Sequence, residues 1–171
     1  MITNFEFKAS CKDILACEKK LALLNPEFIG EDHQKDTYFN VPAGRLKLRE
    51  GNIENALIYY ERMDIPGAKQ SNIILYQTSA STELKKILIK MHGIKKVIDK
   101  RRRIYLIDNV KFHFDKVENL GCFLEVEAID IDGTRGIETL KQQCNAYAKI
   151  LNIAQSDYLS LSYADMAEVT S

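Results

Sequence analysis

The sequence predicts an α+β domain in which eight antiparallel strands form a barrel flanked by three or four helices. Short segments of alternating apolar and polar residues, each bounded by a turn containing Gly, Pro, Asn or Asp, indicate the strands. Turns this short join antiparallel neighbours. Eight strands are enough to close a sheet on itself, which favours a barrel.

The predicted elements follow one another in a simple order. A first strand and a helix precede a four-stranded meander, a second helix, three long strands and a helical C-terminal region. The predicted strands are residues 2–9, 33–40, 45–50, 56–63, 72–78, 95–107, 110–117 and 122–130. The predicted helices are residues 12–24, 81–92, 136–151 and 163–169.

The composition indicates one globular domain over residues 1–171. Hydrophobic residues make up 46% and charged residues 28% of the chain, a balance that excludes a disordered protein. Basic and acidic residues number 24 each, so the formal net charge is zero. A polyanionic ligand would therefore have to be attracted by a local cluster of charges.

The cysteines indicate a reducing compartment. Cys11, Cys17, Cys122 and Cys144 form no CxxC pair and, with the histidines, no zinc-finger spacing, so we expect reduced thiols in a cytoplasmic protein. The N-terminal segment has no basic region followed by an apolar run. No apolar stretch approaches the ~20 residues needed to span a bilayer. The sequence thus predicts neither a signal peptide nor a membrane partner.

Charged side chains recur on one face of several predicted strands. Residues i and i+2 of a strand point to the same side, as do Lys47 with Arg49 and Lys100 with Arg102. The opposite faces carry large apolar residues. The charged faces comprise six cations and four carboxylates, namely Lys8, Lys47, Arg49, Arg62, Lys100, Arg102, Glu6, Asp115, Glu125 and Glu127.

Strand periodicity alone does not decide whether these charged faces point to solvent or to the interior. If they face solvent, they form an ordinary charged surface with cross-strand ion pairs. If they face the interior of a closed barrel, the cations suit a triphosphate, which they would bind by charge-assisted hydrogen bonds. The carboxylates would then suit a hard cation such as Mg²⁺ or Mn²⁺ that bridges them to phosphate oxygens.

Six segments, in order from residue 4 to about residue 166, resemble the signature of the CYTH family of class IV adenylyl cyclases and thiamine triphosphatases. NFEFK is similar to the family's opening ExExK, with Asn4 in place of the first Glu, and LKLR to its basic-x-Arg strand. ALIYYERMDIPGAKQSN resembles a segment of bacterial members usually labelled class IV adenylyl cyclases. The other three segments are the strand with Lys100 and Arg102, VKFHFDKVENLGCFLEVEA, and LSYADM.

The resemblance implies a triphosphate tunnel, an eight-stranded antiparallel barrel whose charged faces point inward. It assigns phosphate binding to Lys8, Lys47, Arg49, Arg62, Lys69, Lys100 and Arg102. It assigns metal binding to Glu6, Glu125, Glu127 and Asp115, and catalysis to Asp115, Lys100 and Arg102. Because the amide of Asn4 brings no charge, one metal position is expected to be weakened.

Three activities remain open. The subgroup that the chain most resembles suggests a class IV adenylyl cyclase-like enzyme, a lyase that converts ATP to cyclic AMP and pyrophosphate. The same tunnel would suit a phosphohydrolase acting on inorganic triphosphate, thiamine triphosphate or a nucleoside triphosphate. A non-catalytic binder of nucleotide or polyphosphate is the third, and Asn4 favours it. The sequence also leaves a homodimer open.

Two further features of the charged strands bear on function. His113 lies between Lys111 and Asp115 on a charged face, as an acid/base group or a hydrogen-bonded part of the wall. The lack of a second His partner favours the wall. The basic run of residues 100–103 is of a kind that can contact nucleic acid. Because alternate residues of a strand point in opposite directions, we expect no nucleic-acid partner.

Overall fold

The computed structural model describes residues 2–62, 65, 67–79 and 82–169. Within these residues the chain forms the predicted architecture, a closed antiparallel barrel of eight strands with helices outside it. The barrel strands β1 to β8 are Ile2–Ser10, Glu27–Phe39, Arg45–Glu50, Ala56–Arg62, Lys69–Gln77, Ile94–Ile107, Val110–Val117 and Gly121–Asp130. Helices α1 to α4 are Ile14–Ala22, Thr82–His92, Ile137–Ile150 and Tyr163–Val169, and a short further strand, β9, is Tyr158–Leu159.

The strands pair in the order β5-β4-β3-β2-β6-β7-β8-β1, and the pairing of β1 with β5 closes the ring. In register, Glu6 of β1 lies opposite Glu127 of β8 on one side and Lys69 of β5 on the other. Further along β1, β9 replaces β5 as the neighbour, with Lys8 opposite Leu159. The first strand therefore contributes charged residues to a wall that it shares with β8.

Some element boundaries differ from the prediction. Strand β2 begins at Glu27 rather than at residue 33, because the chain continues through a bulge between Phe28 and Gly30, where Gly30 has a φ of 147°. Residues 27–29 are all exposed, so no alternating burial marks this part of the strand. Strand β5 begins at Lys69 rather than at residue 72, and β9 is an additional strand. The predicted end of β4 at Met63 lies outside the described residues.

The main hydrophobic core lies outside the barrel, between its outer faces and helices α1 and α3. Phe7, Phe112 and Phe114 are buried in this core, and α3 adds Leu140 and Cys144, four residues apart and hence on one helix face. Each large apolar side chain buried in this way contributes about 1.5–3 kcal/mol. Because neighbouring residues of a strand point to opposite sides, packing the aromatic faces on the helices directs the charged faces into the barrel.

Helix α4 covers part of one rim of the barrel, where β3 and β6 begin. Asp165 of α4 accepts a hydrogen bond of 3.0 Å from Arg45, and Lys96 donates one of 3.1 Å to the carbonyl of Ala167. Tyr163, the first residue of α4, is buried and lies on the cavity wall. The opposite rim, where β1 and β4 begin, forms the mouth of the cavity.

The helices and the cysteines of the structure bear on the environment predicted for the chain. No helix in the described part of the chain combines the length and the apolar character that crossing a bilayer requires. All four cysteines carry free thiols, although the Sγ atoms of Cys11 and Cys17 lie only 3.4 Å apart.

Candidate functional site

The inward faces of the strands surround a cavity of about 580 Å³. Most of the residues predicted from the charged strand faces line it. They are Glu6, Lys8, Lys47, Arg49, Lys100, Arg102, Glu125 and Glu127. Of the two orientations that periodicity leaves open, the structure has the one with the charged faces inside.

One end of this set is a basic cluster, formed by Lys47, Arg49 and Lys100 around the buried carboxylate of Asp36. Asp36 accepts hydrogen bonds from Lys47 at 3.0 Å, from Arg49 at 2.9 and 3.1 Å, and from Lys100 at 2.8 Å. Burial alone would raise the pKa of Asp36, but the three cations outweigh it and hold this pKa well below its usual value. Asp36 thus fixes three phosphate-binding candidates in one place.

Sequence reasoning missed Asp36. The available signal was the alternation of Asp32, Gln34 and Asp36 on β2, which places three polar residues on one face of the strand. All three are buried. Strand β2 lies between β3 and β6, and so its inward residues reach the cations of both neighbours.

The ammonium group of Lys100 is almost fully buried, at 2% exposure. Burial lowers its pKa to about 7, and the nearby cations Arg102 and Arg49 add to this effect, while Asp36 opposes it. The charge of Lys100 therefore depends on pH close to neutrality.

Arg102 is held by Asp115. Its Nε and Nη2 donate to the two oxygens of Asp115 at 2.7 and 2.6 Å, and the hydroxyl of Tyr163 donates to the same carboxylate at 2.7 Å. Asp115 is fully buried and is not part of the cavity lining. The predicted metal ligand therefore lies behind Arg102, and this arrangement orients the guanidinium toward the cavity.

The other end of the set is an acidic cluster, formed by Glu6, Glu125 and Glu127 on β1 and β8. Glu125 accepts a hydrogen bond from Lys8 and lies 3.5 Å from Nη2 of Arg102. Lys8 and Arg102 outweigh the effect of burial and hold the pKa of Glu125 well below its usual value. Glu127 differs, because burial, Glu6 and Glu125 together raise its pKa to about 7.

Asn4, the departure from the family pattern, lies inside the acidic cluster. Its Nδ2 donates hydrogen bonds to Glu127 and, at 3.3 Å, to Glu6. The side chain is completely buried, and its Oδ1 has no hydrogen-bond partner among the described residues. The amide thus supplies donors to two carboxylates and leaves a buried oxygen available.

His113 of β7 completes this wall. It is 2% exposed, and its Nδ1 lies 3.6 Å from Oε1 of Glu125, beyond hydrogen-bonding distance. Burial, with a further contribution from Arg102, lowers its pKa to about 4, so the ring is neutral at pH 7. Each of His113, Glu125 and Glu127 offers one possible metal-ligand atom, and these three atoms lie within 4.8 Å of one another.

Of the other two predicted phosphate contacts, only the side chain of Lys69 is described, and it does not line the cavity. Lys69 is buried, and its ammonium donates to the carbonyl oxygens of Ile65 at 3.0 Å and Ser160 at 2.9 Å. It therefore joins β5 to the segment before α4 and does not line the cavity. The backbone of Arg62 pairs with Ser71, but its side chain lies outside the described part of the structure.

The loop of residues 51–55, between β3 and β4, is anchored at the mouth by Asp32. This buried carboxylate accepts hydrogen bonds from the backbone N–H groups of Asn52, Ile53 and Glu54, at 2.7 to 2.9 Å. A Cβ atom at Gly51 would lie 2.7 Å from the Asp32 oxygens, so only glycine fits this close approach. The anchor fixes where the side chains of the loop point.

Glu54 of this loop extends the charged lining to the mouth. It accepts hydrogen bonds from Arg49 at 2.8 Å and from Lys111 at 2.9 Å. These two cations overcome the effect of burial and lower the pKa of Glu54 well below its usual value. Glu54 therefore ties the basic cluster to a lysine on β7.

The rest of the mouth is mainly apolar, with a few neutral polar residues beside the apolar ones. Ile2, Ile53, Leu75, Ile129 and Ile131 line the cavity there. Ile53, Leu75 and Ile131 keep 40%, 42% and 76% of their surface exposed. An apolar entrance leading to a charged interior suits a ligand with an organic group at one end and a polyanion at the other.

Comparisons with known proteins agree with this geometry. A family model described as the CYTH domain matches residues 3–162. A relative named adenylate cyclase CyaB, from Aeromonas hydrophila, is 27% identical over 168 residues, which covers 95% of this chain and 87% of the relative.

Solved structures show the same fold. The PH1012 protein of Pyrococcus horikoshii has a TM-score of 0.82 at 23% identity, covering 95% of this chain and 98% of its own. A Hippeastrum protein, described as an adenylyl cyclase candidate with a dominant triphosphatase activity, has a TM-score of 0.62 at 12% identity, covering 98% and 94%. Because the family model spans nearly the whole sequence, this chain belongs to the CYTH family.

Proposed function

We propose that the tunnel binds a triphosphate together with a divalent metal ion and turns it over, as a class IV adenylyl cyclase-like enzyme that converts ATP to cyclic AMP and pyrophosphate. The observation that carries this proposal is the presence of six cations and four carboxylates in the lining of one cavity inside a closed barrel. The name of the Aeromonas relative supports the choice of a cyclase.

Five of the six cations that line the cavity are predicted phosphate contacts, and they are suited to a polyphosphate. They are Lys8, Lys47, Arg49, Lys100 and Arg102. Each already donates a hydrogen bond to a carboxylate, so its position is set before a ligand enters. Binding would let phosphate oxygens share or replace these carboxylate contacts with little rearrangement.

The acidic cluster fits a divalent cation. Glu6, Glu125 and Glu127 would hold it, and the unpartnered Oδ1 of Asn4 is a further oxygen donor. Burial, Glu6 and Glu125 raise the pKa of Glu127 to about 7, and a bound cation would offset the repulsion between these carboxylates. When bound, Mg²⁺ or Mn²⁺ would neutralise charge on the phosphate oxygens.

In a cyclisation, the ribose 3′-oxygen would attack the α-phosphorus and lose its proton to solvent, the bond from the α-phosphorus to the oxygen bridging it to the β-phosphorus would break, and pyrophosphate would leave. The chain would contribute chiefly position and charge. Lys100 and Arg102 would stabilise the negative charge that develops on the departing pyrophosphate. The apolar mouth, with Ile53, Leu75 and Ile131, would accept the nucleoside part.

Hydrolysis of a triphosphate is the second candidate. It uses the same tunnel, and the triphosphatase activity ascribed to the Hippeastrum protein of similar fold favours keeping it. The apolar mouth favours an organic triphosphate over inorganic triphosphate in this case.

One assay separates these activities. The purified protein is incubated with ATP, thiamine triphosphate or tripolyphosphate, each with Mg²⁺, Mn²⁺ or excess chelator. Cyclic AMP formed only with metal supports the cyclase, and orthophosphate release supports the hydrolase. Tight binding without turnover would reduce the proposal to a binding protein, and absence of binding to all three would overturn it.

A further inference from the structure

His113 is a buried polar side chain that makes no side-chain hydrogen bond within the described residues. Neither of its ring nitrogens has a hydrogen-bond partner among the described residues, although the side chain is 2% exposed and lines the cavity. Leaving a buried polar group unpaired costs about 1–3 kcal/mol. A site that keeps an imidazole in this state is suited to a ligand that the ring can bind.

The position of His113 restricts what that ligand is. His113 of β7 lies opposite Glu125 of β8 in register, and its Nδ1 is 3.6 Å from a Glu125 oxygen. Glu127 lies two residues further along β8, on the same face. The only side chain that donates a hydrogen bond to Glu127 in the described part of the chain is the neutral amide of Asn4.

A cation meets the requirements of all three groups. A water molecule would satisfy the imidazole but would leave the negative charges of Glu125 and Glu127 close together. A metal ion accepts both the ring nitrogen and carboxylate oxygens. Ions of this size hold N and O ligands at about 2.1 Å, so opposite ligands lie about 4.2 Å apart. The ligand atoms of His113, Glu125 and Glu127 lie within 4.8 Å of one another, so small side-chain movements would bring all three within reach of one ion.

The ligand types favour a particular class of metal. Mg²⁺ prefers oxygen ligands, whereas imidazole nitrogen suits transition-metal ions. Asn4 stands where the family pattern has a carboxylate, and its amide donates to Glu127 and Glu6. Because of this substitution, the side of the acidic cluster that contains His113 offers stronger metal ligands than the side that contains Asn4.

We infer that His113, Glu125 and Glu127 form a mixed nitrogen and oxygen site in which the imidazole binds the metal directly, so that Mn²⁺, Co²⁺ or Zn²⁺ binds in preference to Mg²⁺. The inference rests on the proposed metal-binding role of the acidic cluster. It adds a nitrogen ligand and a metal preference to that role.

The test is spectroscopic and needs no turnover. Mn²⁺ is titrated into metal-free protein, and pulsed electron paramagnetic resonance then measures whether the bound ion couples to ¹⁴N. Nitrogen coupling is expected in the wild type, is lost in His113→Gln, and persists in the control His33→Gln. His33 is a matched control because it is partly exposed and pairs with Asp99. The affinity for Mn²⁺ should fall roughly tenfold or more in His113→Gln, while that for Mg²⁺ changes little.

The outcomes distinguish this inference from the proposed function. Mn²⁺ that binds the wild type without nitrogen coupling, or equal affinities for Mg²⁺ and Mn²⁺, would overturn the role of His113 and leave the carboxylate site standing. Failure of the wild type to bind either ion, with or without tripolyphosphate, would overturn both. The wild-type spectrum decides the matter even if His113→Gln fails to fold.

Discussion

The basic and acidic clusters of the tunnel balance their charges in different ways. In the basic cluster one carboxylate, Asp36, receives hydrogen bonds from three cations, and its pKa is well below the usual value. In the acidic cluster three carboxylates lie close together, and burial with the neighbouring carboxylates raises the pKa of Glu127 to about 7. The charges of the basic half are therefore balanced by the protein itself, whereas the acidic half favours an added proton or cation.

The largest effect that would test this comparison is on folding stability. Asp36→Asn removes the charge that neutralises Lys47, Arg49 and Lys100, and unpaired buried cations are costly. We expect a loss of about 3–5 kcal/mol in the free energy of unfolding, measured by chemical denaturation. Tripolyphosphate should stabilise the variant more than the wild type, because it supplies the missing negative charge.

Asp99→Asn is the matched control for this variant. Asp99 forms partly exposed ion pairs with His33 and Lys35, so its loss should cost about 1 kcal/mol or less. An Asp36→Asn variant no less stable than Asp99→Asn would mean that Asp36 does not hold the basic cluster.

The next largest effect is on ligand affinity. Lys100→Ala or Arg102→Ala removes charged donors from the cavity, and tripolyphosphate binding should weaken by about 1–3 kcal/mol in calorimetry. Arg101→Ala provides the control, since this side chain lies on the same strand, faces outward and is 63% exposed. Unchanged affinity in both cavity variants would contradict the assignment of the phosphate site.

A smaller effect concerns pH. The pKa of Lys100 is lowered to about 7, so the side chain loses its charge as the pH rises above 7. Affinity for tripolyphosphate should then fall by at most about tenfold per pH unit. In Lys100→Arg this fall in affinity with rising pH should disappear, because a guanidinium stays charged. Tripolyphosphate affinity is measured for the wild type and for Lys100→Arg from pH 6 to 9, and the difference between them cancels the titration of the ligand itself. Parallel profiles would rule out Lys100 as the source of the pH dependence.

The lowered pKa of Lys100 also makes the folding stability depend on pH. Between pH 7 and the ordinary pKa of a lysine, the unfolded chain binds more protons at this position than the folded chain does. The contribution of Lys100 to stability therefore becomes more favourable as the pH rises through this range, while ligand binding becomes weaker.

The smallest expected effect concerns residue 4 in the acidic cluster. Asn4→Glu replaces a donor by a further carboxylate, so the metal-free protein should lose about 1 kcal/mol of stability. Stabilisation by Mn²⁺, measured as a shift in melting temperature, should increase relative to the wild type. Gln70→Glu, which adds the same charge at an exposed position of β5, should show no such increase. An equal response in the two variants would mean that residue 4 is not part of the metal site.

Much of the fold could be predicted because its determinants are local. The alternation of Phe112 and Phe114 with Lys111 and His113 defines two strand faces without any knowledge of the partners. Periodicity could not tell which face points inward; the family resemblance implied it. The physical reason is visible only when α3 is placed against the aromatic faces.

The parts of the site that sequence reasoning missed depend on register. Asp36 becomes the centre of the basic cluster only because β2 lies between β3 and β6 and aligns it with Arg49. Asp115, predicted as a metal ligand, is instead directed at Arg102 by the alignment of β6 with β7. These contacts join residues 13 positions apart. Their geometry is set by strand pairing, which a pattern of polar and apolar residues does not encode.

The anchoring of the mouth loop by Asp32 has an evolutionary consequence. The carboxylate holds the backbone N–H of Ile53, and any residue except proline offers that group. The side chain at position 53 can consequently be exchanged while the loop keeps its path. Substitutions at this position can therefore change the entrance of the cavity during evolution without moving the charged residues deeper in the barrel.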